Sequence, residues 1–231
     1  MLKMYRFLLI ASLLFTSFLA FSAQPVLIAS RHLEAASCED VYTDMGLKNI
    51  VNYSAFKQAF TGYNKIKVKS KEIMTVIDFT KPSTEERLYV IDMKNKRLLF
   101  KSHVSHGKNS GDNYATSFSN QNGSFKSSLG FYLTENTYIG KNGYSLILNG
   151  LERGINDKAK ERAIVIHGAD YANPSTIKSS GRLGRSLGCP ALPQAVSRVI
   201  INTIKDGTLL YIYANNRNYL SLSDIISGGV A

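Results

Sequence analysis

The 231-residue sequence has no Trp, two Cys, five Pro and four His. Two cysteines exclude a multiply bridged disulfide framework; at most one bridge, Cys38–Cys189, can form. His103 and His106 have H-x-x-H spacing, but no Glu or Cys cluster accompanies them. They are expected to be structural or loop histidines, so no metal is expected. Acidic residues are few, 17 against 28 Lys and Arg, which leaves a formal charge of +11. Yet no run of five or more Lys or Arg occurs, which argues against a nucleic-acid partner. At 44% hydrophobic and 19% charged residues the chain is not a disordered one, and its length suits one domain with a real core.

The start of the chain reads as a targeting segment. Lys3 and Arg6 precede an uncharged apolar run, Phe7 to Ala20, followed by small residues at Ser22 and Ala23. The run is short for a membrane span, and the pattern is that of a secretory signal peptide over 1–23. Left uncleaved, it would be the only membrane tether. Cys38 lies too far beyond the run to be a lipid-attachment cysteine. Without Lys3 and Arg6 the charge falls from +11 to about +9. An exported protein of that charge is drawn to anionic polymers of the envelope by long-range, salt-sensitive attraction.

Periodicity then divides the chain. Residues 24–71 form a small helical leader: within 40–64, Leu47, Ile50 and Val51 share one face and Phe56, Ala59, Phe60 and Tyr63 another, with Asp44 as a candidate cap. From residue 72 the period becomes strand-like. Ile73–Phe79, Arg87–Asp92 and Arg97–Val104 are expected strands, the last two joined at Lys94-Asn95-Lys96. Residues 105–124 read as a long loop. Phe131–Thr134 and Tyr144–Leu148 are further strands around a turn at Asn142-Gly143, and Ala163–Ile166 is a buried strand that delivers His167. Residues 168–188 form a second long loop, of a kind more often functional than not. Val196, Val199, Ile200 and Ile204 mark an amphipathic helix stopped near Gly207, and Thr208–Ala214 closes the domain. The tail, 216–231, is expected to fray.

The chemistry concentrates between Ile164 and Leu192. A His at a strand end is followed by a glycine-rich basic loop and then by Ser186-Leu187-Gly188-Cys189-Pro190. A free thiol is mostly protonated at neutral pH, so a cysteine nucleophile needs a base, and His167 supplies one. Gly188 permits unusual backbone and close substrate approach. The N–H groups of Gly188 and Cys189 could hold an oxyanion. Arg182 and Arg185 suit a substrate carboxylate, Ser186 suits the turn, and Tyr171 could line the cleft beside Tyr144.

This segment resembles the active-site motif of the L,D-transpeptidases, the YkuD-type catalytic domain, in which His-Gly precedes Ser-x-Gly-Cys by about twenty residues. The sequences S-S-L-G-F-Y at 127–132, G-Y-S-L at 143–146, G-I-N-D at 154–157 and H-G-A-D-Y at 167–171 are similar to its murein L,D-transpeptidase branch. The resemblance covers 72–215. It implies a mainly β fold, a YkuD-like sandwich or barrel of mixed sheets with a few short helices. It implies Cys189 as nucleophile, His167 as base and Gly168 orienting His167 through its carbonyl. The implied partners are peptidoglycan stem peptides and carbapenem-type inhibitors, with no cofactor, and the implied location is the periplasm or cell envelope. Two positions depart from the family pattern: Leu187 stands where a second His is frequent, and Ala191 where Arg or Asn often follows.

Two other readings remain open at this point. One is a different exported cysteine peptidase or acyltransferase. The other is a catalytically silent wall-binding module with a Cys38–Cys189 disulfide.

Overall fold

The computed structural model describes residues 37–228; the signal-peptide expectation over 1–23 and the first part of the 24–71 leader lie outside them. Two helices come first. Helix α1, Cys38–Asp44, begins with a reciprocal cap between Ser37 and Asp40, and α2, Tyr53–Lys65, is capped by the Asn52 side chain. Asp44 is therefore not a cap; it ends α1 and pairs with Lys96 at 3.0 Å. Helix α2 buries Ala55, Phe56, Ala59 and Gly62. Gly62 lies flat on the Phe131 ring, where a Cβ would meet ring carbons at 2.2 Å. The helical segment thus shares one apolar core with the sheet.

Eight strands follow: β1 (Ile73–Asp78), β2 (Leu88–Asp92), β3 (Arg97–Ser102), β4 (Gly130–Gly140), β5 (Gly143–Gly150), β6 (Val165–Gly168), β7 (Ala191–Leu192) and β8 (Leu209–Tyr213). They form one mixed sheet in the order β3-β2-β1-β8-β4-β5-β6-β7. The pairs β1–β8 and β6–β7 are parallel and the rest antiparallel. Ser105, just past β3, bridges to Ala191 of β7, so the two ends of the order meet. Of the sandwich and barrel expected, the nearly closed sheet realises the barrel. Strands β2 and β8 are buried along their whole length, which explains why their sequences are continuous apolar runs without alternation.

The other helices are α3 (Ser175–Ser180), α4 (Gln194–Ile204), α5 (Arg217–Leu222) and α6 (Asp224–Ser227). The β4–β5 hairpin is longer than expected and carries an irregularity between Thr134 and Thr137. Helix α4 buries Ile201 and leaves Val199 exposed, so its apolar face is turned slightly from the expected one.

Over its described residues, 216–228, the tail does not fray. A buried carboxylate holds it: Glu152 accepts from Phe131 N–H at 2.6 Å, from the Tyr219 hydroxyl and from the Ser223 hydroxyl. Its own N–H donates to Asn156 Oδ1 at 2.9 Å. Gly130, with φ +97°, makes room, since a Cβ there would sit 2.1 Å from Glu152 Oε2. Burial raises the Glu152 pKa, and these donors oppose the rise. Glu152→Ala strands three buried donors, and we expect a loss of about 2–4 kcal/mol in urea unfolding, with α5 and α6 exchanging amide protons faster. Unchanged stability would contradict the tail-anchoring role.

Candidate active site

Strand β6 and the turn before β7 bring the sequence-predicted residues together. The parallel pairing sets His167 opposite Ala191. Two residues earlier, Cys189 falls beside the entry to β6, where its Sγ accepts from Val165 N–H at 3.5 Å and lies 3.6 Å from Ala163 O. His167 and Cys189 line one cavity of about 190 Å³ with Asn142, Tyr171, Arg185, Ser186 and Leu187. Both residues are nearly buried, at 4% and 9% exposure.

The cysteine turn is held by side chains. Ser186 Oγ donates to Cys189 O at 2.6 Å and accepts from Gly188 N–H at 3.0 Å. Gly188 has φ +129°, strained for any other residue, and a Cβ would meet Ile164 and Lys126 O at 3.0 Å. Its carbonyl accepts from Ser127 Oγ at 3.1 Å. The segment after β3 docks on the same turn: Ser186 N–H donates to His106 O at 2.9 Å and Lys108 N–H to Ser186 O at 2.8 Å. Contrary to the expectation that both N–H groups are available, the Gly188 N–H is taken by Ser186; of that pair the Cys189 N–H alone makes no hydrogen bond to another residue among the described residues.

His167 Nδ1 lies 3.0 Å from Gly168 O. A carbonyl can only accept, so Nδ1 carries the proton and the Nε2 lone pair is left free. Burial lowers the His167 pKa, and the Gly168 carbonyl partly restores it. Burial raises the Cys189 pKa, opposed by the Val165 N–H and by the charge of Arg162. At neutral pH both partners are therefore uncharged, with the proton on sulfur.

The two basic candidates differ. Arg185 lines the cavity, while Arg182 is held away from it by Asp112 at 2.7 Å and Leu183 O. Arg185 also touches Asp112, at 3.3 Å, and donates to Gly111 O at 3.0 Å. Tyr171 sets its ring edge-on to His167, centroids 6.5 Å apart, and burial pushes its pKa up to about 12. Tyr144 instead donates to Asn202 and lies under Arg198.

Sequence reasoning passed over Arg162 and Asp112. Arg162 donates to Ser119 O, Ser128 Oγ, Ser124 Oγ and Lys126 O, and its guanidinium would lie 3.4 Å from a Cβ at Gly188. Its position in the run before β6 was the one available signal. Ala191 is fully buried with Ala169, Ala172 and Tyr171, which leaves no space for a larger polar side chain there. Leu187 is 60% exposed. Cys38 and Cys189 are both free thiols, so the bridged reading is corrected: Cys38 belongs to α1 and packs on the helical part of the core. His103 lies 3.2 Å from Thr84 O, and no metal-binding group occurs among the described residues.

Residues 47–213 match the family model described as L,D-transpeptidase catalytic domain. The chain belongs to this family. The match begins within the helical segment, earlier than the resemblance at 72. Solved structures to which this family member is similar include an L,D-transpeptidase from Mycobacterium smegmatis, 14% identical, covering 62% of this chain and 59% of that one, TM-score 0.39. The helical cell shape determining protein Pgp2 from Campylobacter jejuni is 14% identical, with coverage of 69% and 56% and TM-score 0.43. The LD transpeptidase LdtMt1, solved in complex with imipenem, is 12% identical, with coverage of 62% and 59% and TM-score 0.38. The chain spans somewhat over half the length of these solved chains. A comparison with curated proteins found no match.

For this transpeptidase-family site the burial of both partners sets a pH dependence. The iodoacetamide alkylation rate of Cys189 should rise through an apparent pKa above the ordinary thiol value of about 8.5. A plateau already reached below pH 7 would show a resting thiolate–imidazolium pair and contradict the neutral pair.

Proposed function

We propose that this protein is a peptidoglycan L,D-transpeptidase in which Cys189 is the nucleophile. The observation that carries the reading is the shared cavity of Cys189 and His167, with His167 fixed as an Nε2 base by Gly168. On attack, Cys189 gives its proton to His167 Nε2, and the sulfur bonds to the carbonyl carbon of the third stem residue at its L-centre. The Cys189 N–H is the main-chain donor available to the developing oxyanion. The C–N bond to D-alanine breaks, and the departing amine takes the proton from the imidazolium. A thioester remains. The amine of a neighbouring stem attacks it, gives a proton to His167 and leaves a 3→3 cross-link with the thiol restored; water in the same place gives a carboxypeptidase.

Arg185 is the cation of the cavity and the candidate for a stem carboxylate, while Arg182, turned to Asp112, has the weaker case. Tyr171 forms the wall behind His167. The leader pattern and the substrate together support action in the periplasm or cell envelope. Membership of the L,D-transpeptidase catalytic domain family supports carbapenem reactivity here.

The test is D-alanine release from purified tetrapeptide stems. The parent protein should release it, Cys189→Ala should fall to background, and His167→Ala should lose about 10²–10⁴-fold. Full activity in Cys189→Ala would end the proposal. Cleavage inside the stem, without D-alanine release, would point to another exported cysteine peptidase.

A further inference from the structure

The largest fully buried side chain in the described molecule is that of an arginine, Arg87, at 0% exposure. A buried cation is costly unless its donors are matched. Arg87 makes no ion pair within 4 Å among the described residues. Its Nε and Nη2 both donate to Val104 O, at 3.0 and 2.8 Å, and Nη1 donates to Lys81 O at 2.9 Å. Nη2 also lies 2.8 Å from His106 Nδ1. Guanidinium can only donate, so His106 Nδ1 is the acceptor and the proton sits on Nε2. Nε2 in turn points at Gly111 O, 3.4 Å away, the same carbonyl that takes Arg185 Nη1 at 3.0 Å. His106 itself is 1% exposed, and its ring stands edge-on to Phe79.

His106 is thus one tautomer, clamped on both ring nitrogens. Its backbone belongs to the segment on which the cysteine turn rests. His106 O accepts from Ser186 N–H, Gly107 bridges to Ser186, and Ser105 pairs with Ala191. Ser186 in turn holds the Cys189 carbonyl and the Gly188 N–H. The same histidine therefore shares one carbonyl with the cavity arginine and one with the nucleophile's turn.

We infer that His106, tethered by the buried Arg87, is a positioning residue for acyl transfer: it sets the placement of the Cys189 N–H and of Arg185 without touching the reacting atoms. The inference rests on the transpeptidase reading above and deepens it.

Two reactions of the same thiol separate positioning from general damage. Acylation by a carbapenem passes through an oxyanion and uses the N–H placement; alkylation by iodoacetamide is a direct displacement at carbon and does not. Both rates are measured on the purified full chain by intact mass, with folding checked by circular dichroism. His106→Phe keeps the ring volume and loses both clamps. It should slow acylation on the order of 10- to 100-fold while alkylation stays within about twofold of the parent, a margin well inside the effect expected from misplacement. His106→Asn, which restores an acceptor for Arg87, should recover part of the acylation rate. Equal acylation in His106→Phe and parent, or a parallel fall in both reactions, would overturn the inference. A parent that is not acylated at all would instead sink the functional reading, and the inference with it. Should His106→Phe fail to fold, Arg87→Lys is read in the same way, because Lys cannot span Val104 O, Lys81 O and His106 together. The same selective loss supports the tether, and parent-like acylation overturns it.

Discussion

The chemistry of this molecule depends on a turn that has no secondary structure of its own. Ser186 to Cys189 is neither helix nor strand, yet it must hold a thiol, an N–H and a strained glycine in register. It does so by main-chain bonding to the segment Ser105–Lys108 and by the double use of Ser186 Oγ. The closure of the sheet through Ser105 and Ala191 and the pairing of β6 with β7 have the same effect. They bring two chain segments some eighty residues apart together around Cys189. A polar backbone buried in this way needs partners, and Ser186 and the Ser105–Lys108 segment supply them for all of the turn's bonded groups except the Gly188 carbonyl, which Ser127 Oγ satisfies, leaving the Cys189 N–H without a partner residue among the described residues.

Burial also sets the chemistry's starting point. A thiol and an imidazole that are both nearly enclosed are driven toward their neutral forms. In the proposed acyl transfer, the cost of forming a charge pair is met when substrate arrives and the oxyanion finds its donor. Arg162 moderates that cost from beneath Gly188. Its four hydrogen bonds to loop carbonyls and hydroxyls keep the guanidinium in place, with no carboxylate partner among the described residues. In a basic protein this places positive charge near the thiol, while Arg182 is drawn to Asp112 and Arg185, which also touches Asp112, still lines the cavity.

The elements legible in the sequence are those whose signal is local. His167-Gly168 and Ser186-x-Gly188-Cys189 are short motifs with direct chemical meaning, and each lies where a strand ends or a turn needs a glycine. The strand positions followed from continuous apolar runs, because most of these strands are buried on both faces. Contacts made at long separation were not legible. Nothing near Glu152 announces that Tyr219 and Ser223 will close over it, so the sequence alone predicts a frayed tail. The partner of His106 lies nineteen residues upstream and that of Arg182 seventy upstream. The capping of α1 by Ser37 rather than by Asp44 has a local signal, the Ser-x-x-Asp that opens the helix. The gap between a pattern of types and a pattern of contacts accounts for the oxyanion correction too. Gly188 has the right residue type, but Ser186 already occupies its N–H.

The central claim is that Cys189 carries a peptidyl group by acyl transfer. Its most direct test is to mix the protein with a tetrapeptide stem in the absence of an acceptor amine, quench in acid and weigh the protein intact. The account predicts a tripeptidyl thioester on the parent chain, localised by digestion to the peptide containing Cys189, with free D-alanine in equal amount and no adduct on Cys189→Ala. D-Alanine released with no acyl group ever found on Cys189, or an adduct that persists in Cys189→Ala, would contradict it.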